Sequence, residues 1–255
     1  MVAPTLRDWL KEGPFGLAMS SGFFAFFAHT GVLSVLEDEG LLPSRVSGSS
    51  AGALVTASWA AGVAATTLEQ TLMALHREDF WDPRPGLGLL RGALFRARLE
   101  ALLPAQRFEE CRVPVAISVF DALSRRTRVM TAGNLPAAVH ASCAVPLLFH
   151  PVRIGARVYV DGGVADRPGI LGMPEREGER VLFHHIASRS PWRRRDGDAT
   201  RVPSRDDMVS LVIEDLPRSG PFALGEGRKA FAVARRAARR ALDEPVHGSL
   251  LRVFG

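Results

Sequence analysis

The chain has 255 residues, 47% hydrophobic and 23% charged, with a formal net charge of +5 at pH 7. That length buries most of its apolar surface without disulfide staples. Its two cysteines, Cys111 and Cys143, lie in apolar stretches without metal-ligand spacing, which argues against a disulfide scaffold or a cysteine-built metal centre and for a reduced, cytoplasmic setting. The positive charge is almost entirely arginine, with Lys11 and Lys229 the only lysines. No aromatic-interleaved basic ribbon accompanies it, so nucleic acid is not an expected partner, whereas anionic lipid stays open.

Residues 14–36 carry no formal charge and follow Arg7 and Lys11, the outline of a signal peptide or membrane span. Pro14, Gly22, Gly31 and several hydroxyl residues break that outline. The segment predicts a buried strand over Gly16–Ser20, a turn at Ser21–Gly22, and a helix over Phe26–Glu39 stopped by Gly40. A short strand at Arg45–Ser47 follows, then a helix over Ala51–Gly62, apolar all round as a central helix should be. A second helix is expected over Thr66–Arg77, N-capped by Thr66 or Thr67. Residues 80–92, rich in Pro and Gly, read as a loop.

Further on, Ala93–Leu103 reads as a helix and residues 113–121 as a strong buried strand with a neighbour at Arg126–Thr131. A short helix over Leu135–Ala144 precedes a hairpin of Val152–Ile154 and Arg157–Val160 turning at Gly155. Strands at 181–187 and 208–215 flank a polar loop over 188–207, and a basic helix over Gly227–Leu242 ends the series. Helices alternating with buried strands predict a single α/β layered domain with a mostly parallel sheet.

Between the second strand and its helix stands Gly48-Ser49-Ser50-Ala51-Gly52, a GxSxG sequence. In this context it can form a nucleophile elbow: small flanking residues allow a tight turn, the serine hydroxyl is exposed, and the next helix aims free N–H groups at the reacting oxygen. The hydroxyl needs a base. The chain order Ser then Asp then His would combine Ser50 and Asp161 with His184, His185 or His247. The alternative base is a carboxylate: Asp161 ends a strand and turns at once through Gly162-Gly163, toward the sheet edge where α/β sites lie.

Together the motifs resemble the patatin-like phospholipases, lipid acyl hydrolases. SGFFAFFAHTGVLSVLEDEG resembles the family's glycine-rich opening and following helix, and GSSAGAL its nucleophile elbow. ASCAVPLLFHPVRI resembles the segment before its second motif, and YVDGGVADRP its Asp-Gly-Gly motif. They occur in family order over about residues 15–168. The resemblance implies a three-layer α/β/α sandwich and a Ser50–Asp161 dyad without histidine, metal or cofactor. It implies an oxyanion hole near Gly22, Phe23 and Ala51, with Gly48, Gly52, Gly162 and Gly163 as motif glycines, and cleavage of lipid carboxylic esters through an acyl-serine.

The family's opening is usually GGGxRG; here it is Ser21-Gly22-Phe23-Phe24-Ala25-Phe26, and where the family commonly has an Asn before Pro this chain has Asp166-Arg167-Pro168. A phenylalanine at a position needing positive φ would be strained. Other readings therefore stand beside the hydrolase: a His-dependent esterase, an acyltransferase, and an impaired pseudo-hydrolase that binds lipid or protein. Arg235, Arg236, Arg239 and Arg240 on the last helix suit either peripheral membrane contact or a solvated face packed on the sheet.

Overall fold

The computed structural model describes residues 3–187 and 202–255. Its chain folds as the expected α/β sandwich around a mostly parallel sheet. Among the described residues the sheet has nine strands. Strands β1 (Phe15–Met19), β2 (Arg45–Ser49), β4 (Val115–Asp121), β9 (Arg180–His185), β10 (Met208–Glu214) and β11 (Leu250–Phe254) run parallel in the order β11-β10-β9-β1-β2-β4. Strands β5 (Arg126–Met130) and β8 (Arg157–Asp161) pair antiparallel with β4, and β7 (Val152–Ile154) pairs antiparallel with β8. Strands β3 (Gly88–Leu90) and β6 (Leu147–Phe149) form a separate small parallel sheet.

Period-two alternation sorts the sheet's two faces. Phe15, Leu17 and Met19 of β1, Leu182 of β9, and Val209, Leu211 and Ile213 of β10 join the main core. Ala18, Val181, Phe183 and Met208 face a smaller cluster around Met173. Over the main core lie α2 (Phe26–Asp38), α3 (Ala51–Ala60), α4 (Ala65–Met73), α6 (Leu135–Ser142) and α7 (Leu224–Ala241), while α1 (Leu6–Lys11) and α5 (Ala93–Leu102) complete the helices. The charge-free stretch 14–36 is thus a buried strand and a buried helix. No helix among the described residues is long and apolar enough to cross a membrane.

Some local expectations change. Helix α4 begins at Ala65 with Ala64 as N-cap, not at Thr66 or Thr67. A carboxylate from elsewhere does the capping: Glu37 Oε2 accepts the Ala65 N–H at 2.6 Å, and Glu37 Oε1 accepts Trp59 Nε1–H at 3.1 Å. The Pro/Gly segment 80–92 contains β3, whose partner β6 is distant in sequence. The polar loop expected over 188–207 lies outside the described residues for its larger part, 188–201.

Helix α7 packs its small residues Ala234, Ala237 and Ala238 inward. The crossing with α2 is close: a Cβ on Gly31 would stand 2.5 Å from the Phe231 carbonyl oxygen. Its outer arginines meet carboxylates, Arg235 with Asp38 and Glu69, Arg239 with Asp38.

The strand arrangement sets up the site. Strand β4 is paired along one edge by β5 over Ile117–Asp121. Its other edge is shared end to end: β2 pairs with Val115–Ser118 and β8 with Val119–Asp121. Because β8 runs against β4 and β2 runs with it, the two strands meet head to head. Ser49 lies opposite Ser118 and Asp161 opposite Val119, so two residues over a hundred positions apart end on adjacent β4 residues.

Candidate active site

Ser50 lies in the step from β2 to α3 with φ 52° and ψ −119°, a backbone state costly for a non-glycine residue. Its surroundings hold it there. The Ser50 N–H donates to Ser142 Oγ at 2.8 Å, and Ser142 Oγ donates to the Ser118 carbonyl at 2.7 Å. The Ser50 carbonyl accepts the Leu54 N–H at 3.0 Å and the Cys143 thiol at 3.2 Å. With backbone donor and acceptor both engaged, the side chain projects to Asp161: Ser50 Oγ donates to Asp161 Oδ2 at 2.6 Å. The other oxygen, Oδ1, accepts the Gly163 N–H at 2.7 Å, which fixes the carboxylate's rotation. Both residues are buried.

The motif glycines are required by close approach. A Cβ on Gly52 would stand 2.0 Å from the Met19 carbonyl oxygen, and one on Gly162 would stand 2.1 Å from that of Ser118. Gly48 and Gly163 are nearly as tight, against Ala53 N and Ser21 Oγ at 2.5 Å. In contrast, Gly225 in α7 faces open space. Gly52→Ala is expected to lose about 2–3 kcal/mol of stability through the backbone clash, whereas Gly225→Ala should gain up to about 1 kcal/mol from helix propensity. Urea midpoints of the two variants would check both signs.

The loop after β1 approaches Ser50 from the other side and is pinned at several points. The Ser20 N–H donates to the His184 carbonyl at 3.2 Å, Ser20 Oγ accepts the Ile186 N–H at 2.9 Å, and the Ser21 N–H donates to the Arg167 carbonyl at 2.7 Å. Among the described residues no acceptor takes the N–H of Gly22 or Phe23. The positive φ falls on Phe24, at 54°, a strained position for that residue. The Phe24 ring packs against those of Phe23, Phe26 and Phe80, with centroids 5.0, 5.2 and 5.7 Å away.

A cavity of about 700 Å³ opens beside Ser50, lined by Gly22, Phe23 and Ala51 and walled mainly by apolar side chains of α4, α5 and the segment 143–149. Leu68, Leu99 and Phe149 are among them, Leu54 of α3 joins them, and Cys143 lines it next to the serine. Burial raises the Cys143 thiol's pKa well above the usual range, so it stands there as a protonated, apolar group.

No histidine borders this cavity. His29 and His184 are fully buried and joined through their Nδ1 atoms at 2.9 Å. His29 Nε2 lies 2.8 Å from the Ser20 carbonyl, an acceptor only, so Nε2 carries the proton. His29 Nδ1 must then accept, and His184 Nδ1–H donates. Burial lowers the His29 pKa to about 4 and that of His184 well below its ordinary value. The pair is a neutral brace under the loop holding Gly22. His185 points to the sheet's other face beside Phe183, and His247 is exposed near the amino terminus, where the Val246 N–H meets the Pro4 carbonyl.

Sequence reasoning missed Ser142 and Ser118, which brace the elbow, and the helical wall of the cavity. Asp166 is buried; it accepts from Ser118 Oγ at 2.5 Å and from the Gly169 N–H at 3.0 Å, and burial raises its pKa. It thereby ties the segment after Asp161 to β4.

The family model described as patatin-like phospholipase matches residues 17–173, more than half of the chain. Two uncharacterized NTE family proteins of Mycobacterium tuberculosis are similar. One is 28% identical over 158 residues, covering 59% of this chain and 42% of that protein; the other is 26% identical over 170 residues, covering 65% and 29%. The chain therefore spans less than half the length of these curated relatives. The crystal structure of VipD from Legionella pneumophila aligns with a TM-score of 0.61 at 13% identity, covering 90% of this chain and 67% of that one, a likeness of fold. Matched across both motifs and the segments between them, the chain belongs to the patatin-like phospholipase family.

Proposed function

We propose that the protein is a lipid acyl hydrolase that cleaves carboxylic esters through an acyl-Ser50 intermediate, with Asp161 as the base. The observation that carries this reading is the direct 2.6 Å Ser50–Asp161 hydrogen bond at the wall of an apolar cavity. As Ser50 Oγ attacks the ester carbonyl, its proton passes to Asp161 Oδ2. The oxyanion is met by the N–H groups of Gly22 and Phe23, which no described residue accepts, and by the amino-terminal end of α3 beginning at Ala51. The Ser50 N–H takes no part, being engaged by Ser142. Collapse of the tetrahedral intermediate expels the alcohol, which takes the proton from Asp161. Water then attacks the acyl-serine, again giving its proton to Asp161, and Ser50 leaves with that proton as the free acid departs.

The cavity supports an apolar acyl group as the part of the substrate held in place, since its volume lies within the range of about 300–1,000 Å³ usual for ligand pockets. Labelling with a fluorophosphonate probe tests the proposal. Wild type should label and Ser50→Ala should not. A well-folded wild type that does not label would refute it and leave the lipid-binding reading.

A further inference from the structure

The cavity's rim carries exposed apolar side chains that folding does not explain. Leu147, at the start of β6, is 84% exposed and held at φ 69°. Glycine or asparagine would occupy that backbone state at lower cost, and a leucine facing water contributes no burial. Across the small sheet, Leu147 lies opposite Gly88, with Leu87 (78% exposed) and Leu89 to either side. The next residue in β6, Leu148, lines the cavity. On another side, exposed Phe23 lines the cavity.

This exposure is built in. The Arg84 N–H donates to the Leu89 carbonyl at 3.0 Å, closing the turn that presents Leu87. His150 Nε2 holds the Arg84 carbonyl at 3.0 Å, and Asp82 Oδ2 accepts the Ala93 N–H at 2.7 Å. The turn is therefore fixed to both β6 and α5. Arg84 and Arg91 on the same segment are exposed, and their guanidinium groups meet no carboxylate among the described residues. On α7, by contrast, Arg235 and Arg239 are already paired.

We infer that this rim, centred on the β3–β6 sheet with Leu87, Leu89 and Leu147, is a docking face for an anionic phospholipid surface, oriented so that the cavity mouth meets the lipid. Leucines would enter the acyl boundary while Arg84 and Arg91 meet lipid phosphates, the division of labour of an interfacial segment. The inference builds on the lipid acyl hydrolase reading, and its test separates the two.

The probe is vesicles of mixed phosphatidylcholine and phosphatidylglycerol, co-sedimented with protein in the Ser50→Ala background. Leu87→Asp/Leu147→Asp is expected to weaken binding about tenfold or more. In protein with Ser50 intact, the same pair should leave turnover of a water-soluble short-chain aryl ester unchanged, since neither residue lines the cavity. Aspartate tolerates positive φ, so the change at Leu147 adds no backbone strain. Arg84→Glu/Arg91→Glu should lower binding to the mixed vesicles and leave binding to pure phosphatidylcholine as it was. Unchanged vesicle binding by the leucine variant would overturn the proposal, as would a parent protein that ignores vesicles and self-associates through this face. Vesicle binding that falls in the variant while no ester is turned over would uphold the docking face and sink the hydrolase reading instead.

Discussion

Asp161→Asn is expected to lower kcat/KM for a soluble aryl ester by about 10³–10⁴-fold while leaving the fold intact. The substitution is nearly isosteric. Asparagine Oδ1 can still accept the Gly163 N–H, which now binds Asp161 Oδ1 at 2.7 Å. Its Nδ2 would then stand where Oδ2 accepts the Ser50 hydroxyl at 2.6 Å. A donor would face the serine oxygen, and the hydroxyl proton would have nowhere to go as the attack begins. Ground-state binding should survive, because the cavity walls are untouched, so the loss should fall on kcat. The rival base is a histidine, and none borders the cavity. His184 is fully buried and joined to His29, and replacing His185 or His247 should leave turnover within a few-fold of wild type. Steady-state kinetics on these variants decide between the bases: activity retained in Asp161→Asn, or abolished by a change at His247, would remove Asp161 from the role.

The elbow and the Asp-Gly-Gly turn were legible in the sequence because local chemistry writes them. Glycines at 48, 52, 162 and 163 sit where neighbouring backbone or side-chain atoms leave no room for a Cβ. The strand and helix within residues 14–36 were legible for the same reason, since Gly22 and Pro14 mark the breaks. What brings Ser50 and Asp161 together was not legible. It depends on β2 and β8 sharing one edge of β4, a register set by three separate pairings. Ser142 and Ser118 left only a faint mark, hydroxyls inside apolar runs, and the pairing of Ser142 with the strained Ser50 amide needs the third dimension. The cap of α4 failed in the reading because Glu37, a residue of α2, reaches the Ala65 N–H before any local threonine is needed. Strand β3 hid in a Pro/Gly segment because its partner β6 lies far along the chain and supplies the hydrogen bonds that local propensity does not.

The buried histidines make a second large effect expected: stability should fall steeply as pH drops from 6.5 toward 4, before most carboxylates titrate. Burial lowers the pKa values of His29, His185 and His140 to about 4 and that of His184 well below its ordinary value. In the unfolded chain each takes up a proton near the ordinary value of 6.5. Between those limits the unfolded state binds more protons than the folded one, so acidification favours unfolding, and above pH 6.5 the effect vanishes. A group held neutral across that span costs about 3 kcal/mol by its lower end. Two such groups are a large share of the roughly 5–15 kcal/mol by which a domain is stable. Asp166 opposes the trend, because its raised pKa makes the folded state hold a proton more tightly as pH falls. It is one carboxyl against four imidazoles, so the net slope keeps its sign. Urea unfolding at a series of pH values from 7.5 to 5 reads that slope directly. His185→Leu, which removes a buried ring whose Nδ1 has no partner among the described residues, should make it shallower by about one proton. A stability that stays flat over this range would mean that the imidazoles are not held neutral, and the brace of His29 and His184 beneath the Gly22 loop would have to be redrawn as a charged pair.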